Sequence, residues 1–202
     1  MTVTTSQEAV DLAFAVQCAG LPRDHAVSLA MALCERLPWL SQEPFAGIHP
    51  LRVVQGLGEQ ALLSQRTRLL LRVPAPRVQD LLALNAVELK LDGQALRLGQ
   101  PQVRELVPHG TLYAYRVAAD SADEPTFMVG VVRELLALDI TAEPVCGKHQ
   151  SFDRAGATQH AFSLMLHGLN PGQSLRLQRH GLGPHRLLGC GVFVPHKSAA
   201  AV

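Results

Sequence analysis

The chain has 202 residues, 48% of them hydrophobic and 17% charged, with 18 Lys and Arg against 17 Asp and Glu. That length carries one large domain or two of about 100 residues, and either could bury a real core. No apolar run approaches the roughly 20 residues a membrane helix needs, and MTVTTSQEAVDLAF lacks the basic and apolar blocks of a secretion signal, so a cytoplasmic protein with no membrane partner is expected.

VDLAFAV, residues 10–16, reads as a strand ended by Gly20 and Pro22. RDHAVSLAMALCERLPWL places Ala26, Leu29, Ala30, Leu33, Cys34 and Leu37 on one helical stripe, with Pro22 ahead and Pro38 behind. GIHPLRVVQGL and RTRLLLRVP predict two strands, APRVQDLLALNA a second helix, and VELKLDGQALRLG a hairpin turned at Asp92-Gly93. The order is the split βαβ arrangement of a ferredoxin-like fold. The second half repeats it: a strand in TLYAYRVAA, a helix in EPTFMVGVVRELLAL, strands in AEPVCGKHQSFD and QHAFSLMLHGL, and a short helix with Asn170 as N-cap and Pro171 at its first position. A last strand is expected in CGVFVPHK. The expected class is therefore α+β, two ferredoxin-like (RRM-like) βαββαβ folds in tandem, at 1–108 and 109–202, the second carrying a glycine-rich loop near its end.

Charge is divided unevenly along this plan. Residues 1–153 hold 13 basic residues against all 17 acids, 13 − 17 = −4, whereas residues 154–202 hold Arg154, Arg176, Arg179, Arg186 and Lys197, no acid, and five of the nine histidines. An acid-free cationic segment favours a polyanion, since each cation set against a phosphate releases condensed counterions. The cysteines at 18, 34, 146 and 190 are too scattered for a zinc site and read as buried thiols. No metal and no cofactor is expected.

Within the cationic segment, Gly181, Gly183, Gly189 and Gly191 form two G-x-G pairs around His185 and Arg186. Glycine backbone can take φ > 0 and bring N–H groups close to a phosphate. The pattern precedes a strand, unlike the dinucleotide G-x-G-x-x-G, and lacks the Lys-Ser/Thr of a P-loop, so a nucleotide-cofactor pocket is disfavoured.

With GLGPHRLLGCGVFVPHK at 181–197, LPRDHAVSLAMAL at 21–33, RLPWL at 36–40 and GIHPLRV at 47–53, the chain resembles the CRISPR-associated precursor-RNA processing endoribonucleases of the repeat-associated (RAMP) superfamily, in their myxobacterial-type branch. The resemblance implies a two-domain enzyme that binds CRISPR repeat RNA and cuts one phosphodiester without metal. The ribose 2′-hydroxyl attacks the adjacent phosphorus, leaving a 2′,3′-cyclic phosphate and a 5′-hydroxyl. It also implies retained guide RNA and association with other subunits of a CRISPR surveillance complex.

Such cleavage needs a base for the 2′-hydroxyl, an acid for the leaving oxygen and positive charge near phosphorus. His25, in the opening turn of the first helix, is the first candidate: the positive end of the helix dipole suits an uncharged imidazole, and members of the resembled family place a catalytic His there. His49, held extended by Pro50, is the rival, and the two could share the roles of base and acid. Arg176, Arg179, His185, Arg186 and Lys197, with the four loop glycines, are the expected RNA-binding residues. The alternative functions are a non-catalytic RNA-binding subunit of a CRISPR ribonucleoprotein and, more distantly, a nucleotide-binding enzyme of unrelated chemistry.

Overall fold

The computed structural model describes residues 8–22, 24–55, 60–154 and 156–196. Two compact units follow one another, the first ending at Glu105 and the second beginning at Leu106.

The N-terminal unit is built on β1 (Ala9–Gln17), which runs antiparallel to β6 (Arg68–Pro74) on one side and β8 (Gln94–Glu105) on the other. β3 (Gly47–Ile48) lies outside β6, and β7 (Glu88–Leu91) outside β8. Leaving β7 aside, the first strand sits between the third and fourth of the pattern and the second is at the edge, which is the ferredoxin-like order. Period two puts Leu12 and Phe14 of β1 on one face with Leu69, Leu71 and Val73 of β6, and all five are completely buried. Helix α1 (Ala26–Arg36) packs beside β7 and buries Leu29, Ala30 and Leu33 of the predicted stripe together with Ala32, which lies outside it, while Ala26 and Cys34 are only partly buried. It stops ahead of Pro38, where a 3₁₀ turn takes over. The Asp92-Gly93 hairpin forms as expected, with φ of 49° and 84°.

The predicted strand 47–57 is divided in two. Pro50 has no N–H to offer a ladder; β3 ends before it, and β4 (Val53–Gln55) joins β5 (Gln60–Leu63) and β2 (Leu21–Pro22) in a separate three-stranded sheet. β2 and β5 had no separate signal, being too short for an alternating pattern. Helix α2 (Val78–Leu82) covers only the middle of the predicted 75–86, behind a 3₁₀ turn at Ala75–Arg77.

The C-terminal unit has the same order. β9 (Leu112–Ala119) is central, flanked by β11 (Ala157–His167) and β12 (Val194–Pro195), with β10 (Glu143–Arg154) outside β11. Helix α3 (Glu124–Ala137) is capped by Asp123, whose carboxylate accepts from the Thr126 amide at 2.9 Å. Helix α4 (Pro171–His180) starts at a capping box in which Asn170 and Gln173 satisfy each other's backbone amides. Phe127, Val131 and Leu135 of α3 meet Leu112, Phe162, Leu164 and Phe193 in one core. The predicted strand 190–197 contracts to two residues, because Gly191 (φ 65°) is still in the loop and Val192 and Phe193 are spent on burial.

The cysteines differ from expectation. Cys190 is buried with Phe152 and Ala161, and burial pushes its thiol up to about 11. Cys18, Cys34 and Cys146 are only partly buried, since each lies near the end or edge of its element. Among the described residues no helix is long and apolar enough to cross a membrane, and no three His, Cys, Asp or Glu side chains cluster to hold a metal ion.

Candidate functional site

His25 is the N-cap of α1, with φ −84° and ψ −4°, and its side chain does not cap the helix. Instead Nδ1 lies 2.9 Å from the carbonyl oxygen of Pro22, in β2. A carbonyl oxygen can only accept, so Nδ1 carries the hydrogen and the uncharged ring keeps its lone pair on Nε2. Pro22 is itself fixed by pairing with Gln60 of β5, so the sheet sets the ring's orientation. Nε2 has no hydrogen-bond partner among the described residues, and the residue is 8% exposed.

His49 has different surroundings. Its Nε2–H donates to Asp11 Oδ1 at 3.1 Å, and the same carboxylate receives Arg72 Nε at 2.8 Å and Nη2 at 2.9 Å. Three adjacent strands make this possible: β1 and β6 set Asp11 directly opposite Arg72, and β3, ending next to His49, pairs with β6 at Gly47–Arg72. All three residues are buried, Arg72 to 1%. Burial opposes ionisation of Asp11, but the hydrogen bonds and charges of His49 and Arg72 outweigh it and hold the carboxyl well below the usual carboxylate range. Sequence reading found His49 and missed its two partners. The available signal was a lone acid in an apolar strand and an arginine inside LLLRV; only the register shows that they pair.

The glycine loop is folded on itself. Gly181, Gly183, Gly189 and Gly191 all have positive φ, and His185 adopts the left-handed region too, at φ 68°. A Cβ on Gly191 would overlap the Leu182 carbonyl, and one on Gly181 would overlap both the Gly191 carbonyl and the Arg186 guanidinium. The two G-x-G pairs are therefore the place where two backbone segments and one arginine touch. Their amides are not a phosphate cradle: Gly181 donates to Leu177, Gly189 to Arg186, Gly191 to Arg116 and Gly183 to the Glu134 carboxylate at 2.7 Å. Glu134 is an acid from α3, invisible to a charge count along residues 154–202.

The cations of this unit are distributed accordingly. Arg186 is buried. Arg176 donates through Nη1 to the carbonyls of Leu138 and Asp139 and to the Asp139 carboxylate, holding the end of α3. Arg179 and His185 are half-buried, and Lys197 lies outside the described residues. The His180 imidazole is pushed below its ordinary value, first by burial and then by the charges of Arg179, Arg186 and Arg176, so these cations gather around it. His185 is likewise lowered by burial and by Arg154. His160 and His167, on one strand, do not converge: His160 pairs with His149 and His167 with Thr111.

The family model described as Cas6 Crispr matches residues 10–198. The chain belongs to the Cas6 family. It is 38% identical over 194 residues to the CRISPR-associated endonuclease Cas6 of Myxococcus xanthus (strain DK1622), covering 96% of this chain and 84% of that protein. Among solved structures, a CRISPR associated protein Cas6 superposes with a TM-score of 0.65 at 11% identity, over 94% of this chain and 100% of that one. Thermus thermophilus Cse3, bound to an RNA representing a pre-cleavage complex, superposes at 0.52 and 16% identity, over 93% of this chain and 98% of its own. At such identities the superpositions speak for the shared tandem ferredoxin-like Cas6 fold.

Proposed function

We propose that this Cas6 chain is a metal-independent endoribonuclease that cuts CRISPR repeat RNA in precursor transcripts. The observation that carries the reading is the 2.9 Å contact of His25 Nδ1 with the Pro22 carbonyl: with Nδ1–H given to that oxygen, Nε2 is left as a proton acceptor of fixed direction. Nε2 takes the proton of the ribose 2′-hydroxyl; the freed oxygen bonds to the adjacent phosphorus; the bond from phosphorus to the 5′ oxygen breaks. The products are a 2′,3′-cyclic phosphate and a 5′-hydroxyl, and the leaving oxygen takes its proton from a second group, for which His49 is the candidate. Arg179, His185 and Lys197 bind the RNA through its phosphates, with Arg186 and the four glycines building the loop that presents His185, and with Arg176 holding the neighbouring helix. The product guide RNA and other CRISPR subunits are the expected partners, in the cytoplasm.

Repeat RNA incubated with the protein in EDTA is cut in this reading, and a 2′-deoxy nucleotide just upstream of the cut abolishes it. His25→Ala lowers the rate roughly 10²-fold or more with affinity nearly intact. The burial of both His25 and His49, at 8% and 7% exposed, favours a second reading, a non-catalytic RNA-binding subunit with structural histidines. Tight binding without cutting in the same assay decides for that one.

A further inference from the structure

The N-terminal unit has an open-sided pocket of about 420 Å³ between the end of β1 and the turn joining β5 to β6. No residue of it figures in the expected chemistry. Its walls are of two kinds. Ala15, Val16 and Leu63 supply apolar surface, whereas Gln17, Gln65 and Arg68 supply donors and acceptors. Arg68 is held in place by its own turn: Nη1 donates to the carbonyls of Gln65 and Thr67 at 2.9 and 2.8 Å. Nε and Nη2 meet no partner among the described residues, so one edge of a preoriented guanidinium stays available.

We infer that this pocket receives one unpaired base of the RNA, a reading that rests on the proposed function. A phosphate offers only acceptors and would leave the two glutamine side-chain carbonyls and the apolar wall unused. A base has flat apolar faces and an edge on which donors and acceptors alternate, which a carboxamide beside a guanidinium can match. The volume is that of a small-molecule site. None of the lining residues is aromatic, so the base is gripped by its edge rather than by stacking, and edge contacts discriminate among bases. The pocket is also near the proposed base catalyst. Cys18 lines it, and four residues on, Pro22 holds the His25 ring; a fully extended chain spans at most about 14 Å over that interval. The captured base therefore belongs to a nucleotide within a few residues of the scissile bond, and the pocket fixes which bond is cut.

The test uses the full-length protein and a repeat RNA with 2′-O-methyl sugars at every nucleotide, which no 2′-hydroxyl mechanism can cut. Affinity is measured by fluorescence anisotropy with an abasic residue placed at each unpaired position in turn. The variant is Gln17→Ala/Gln65→Ala, both exposed side chains whose loss leaves the Arg68 contacts to backbone intact. The expected result is a roughly 10-fold or greater loss of affinity in the variant, and a single position where an abasic residue costs the wild type as much and the variant nothing further. Wild-type affinity in the variant, or abasic penalties equal in both proteins at every position, overturns the inference. Cutting of the unmodified RNA is scored in a separate reaction; its absence sinks the proposed function and leaves the binding comparison to decide the pocket.

Discussion

In the N-terminal unit, Arg72 is sealed inside the sheet with its countercharge, its Nε and Nη2 closing on the two oxygens of Asp11. In the C-terminal unit, the charges of Arg179, Arg186 and Arg176 all act on His180, Arg176 is paired with the Asp139 carboxylate, and the carboxylate that serves the loop, Glu134, goes to a backbone amide. One arrangement is complete within the protein and can be removed only at a cost in stability. The other sets several like charges near one imidazole, which costs stability. Which cations hold the structure is thus told by where the nearest acids point, which neither net charge nor position in the chain reports.

That contrast can be broken most severely at Asp11. Asp11→Ala strands the Arg72 guanidinium in a buried site, with an expected loss of about 3–5 kcal/mol in urea unfolding; a loss below about 1 kcal/mol would show that the pair is not sealed. Next comes the loop. Gly191→Ala forces a Cβ into the Leu182 carbonyl at positive φ, an expected loss of about 3 kcal/mol, whereas Gly93→Ala, at φ 84° with open space around it, costs about 1 kcal/mol. Equal losses would mean that conformation, not the close approach of two segments, explains the glycine pairs.

The smallest effect is on pH dependence. His180 and His185 are held below their ordinary value of 6.5, so as the pH falls below about 6.5 the unfolded chain binds protons there that the folded chain does not, and stability declines. Asp11 acts in the same direction but lower, its contribution being present above its ordinary 3.8 and lost below that as the carboxylate protonates. Thermal melts between pH 7.5 and 5.5 should therefore drop in the wild type and drop less in His180→Gln/His185→Asn.

Most of the fold was legible because its elements are long enough to show a period. Residues 124–137 have apolar side chains on one helical stripe, 88–98 have a hairpin with Asp-Gly at its centre, and Asn170 with Pro171 marks a helix start from sequence alone. What escaped is what depends on contacts remote in sequence. Asp11 and Arg72 are 61 positions apart and meet by register; Gly183 and Glu134 are 49 apart and meet by packing. The glycine motif was visible and its physical cause was not, since a pattern that brings backbone close to a phosphate is the same pattern that brings backbone close to backbone. For His25 the helix start was legible, but the Pro22 carbonyl that fixes its hydrogen was not.

Cys190 sits inside the glycine loop, between Gly189 and Gly191, and lies completely enclosed, its thiol held protonated far above neutral pH. Alkylating reagents attack the thiolate, so at neutral pH this sulfur is silent for as long as the loop and its sheet stay closed. Its rate of labelling is then a clock for the opening of that loop, readable by mass spectrometry without introducing any dye, and a bound RNA that steadies the loop would slow the clock.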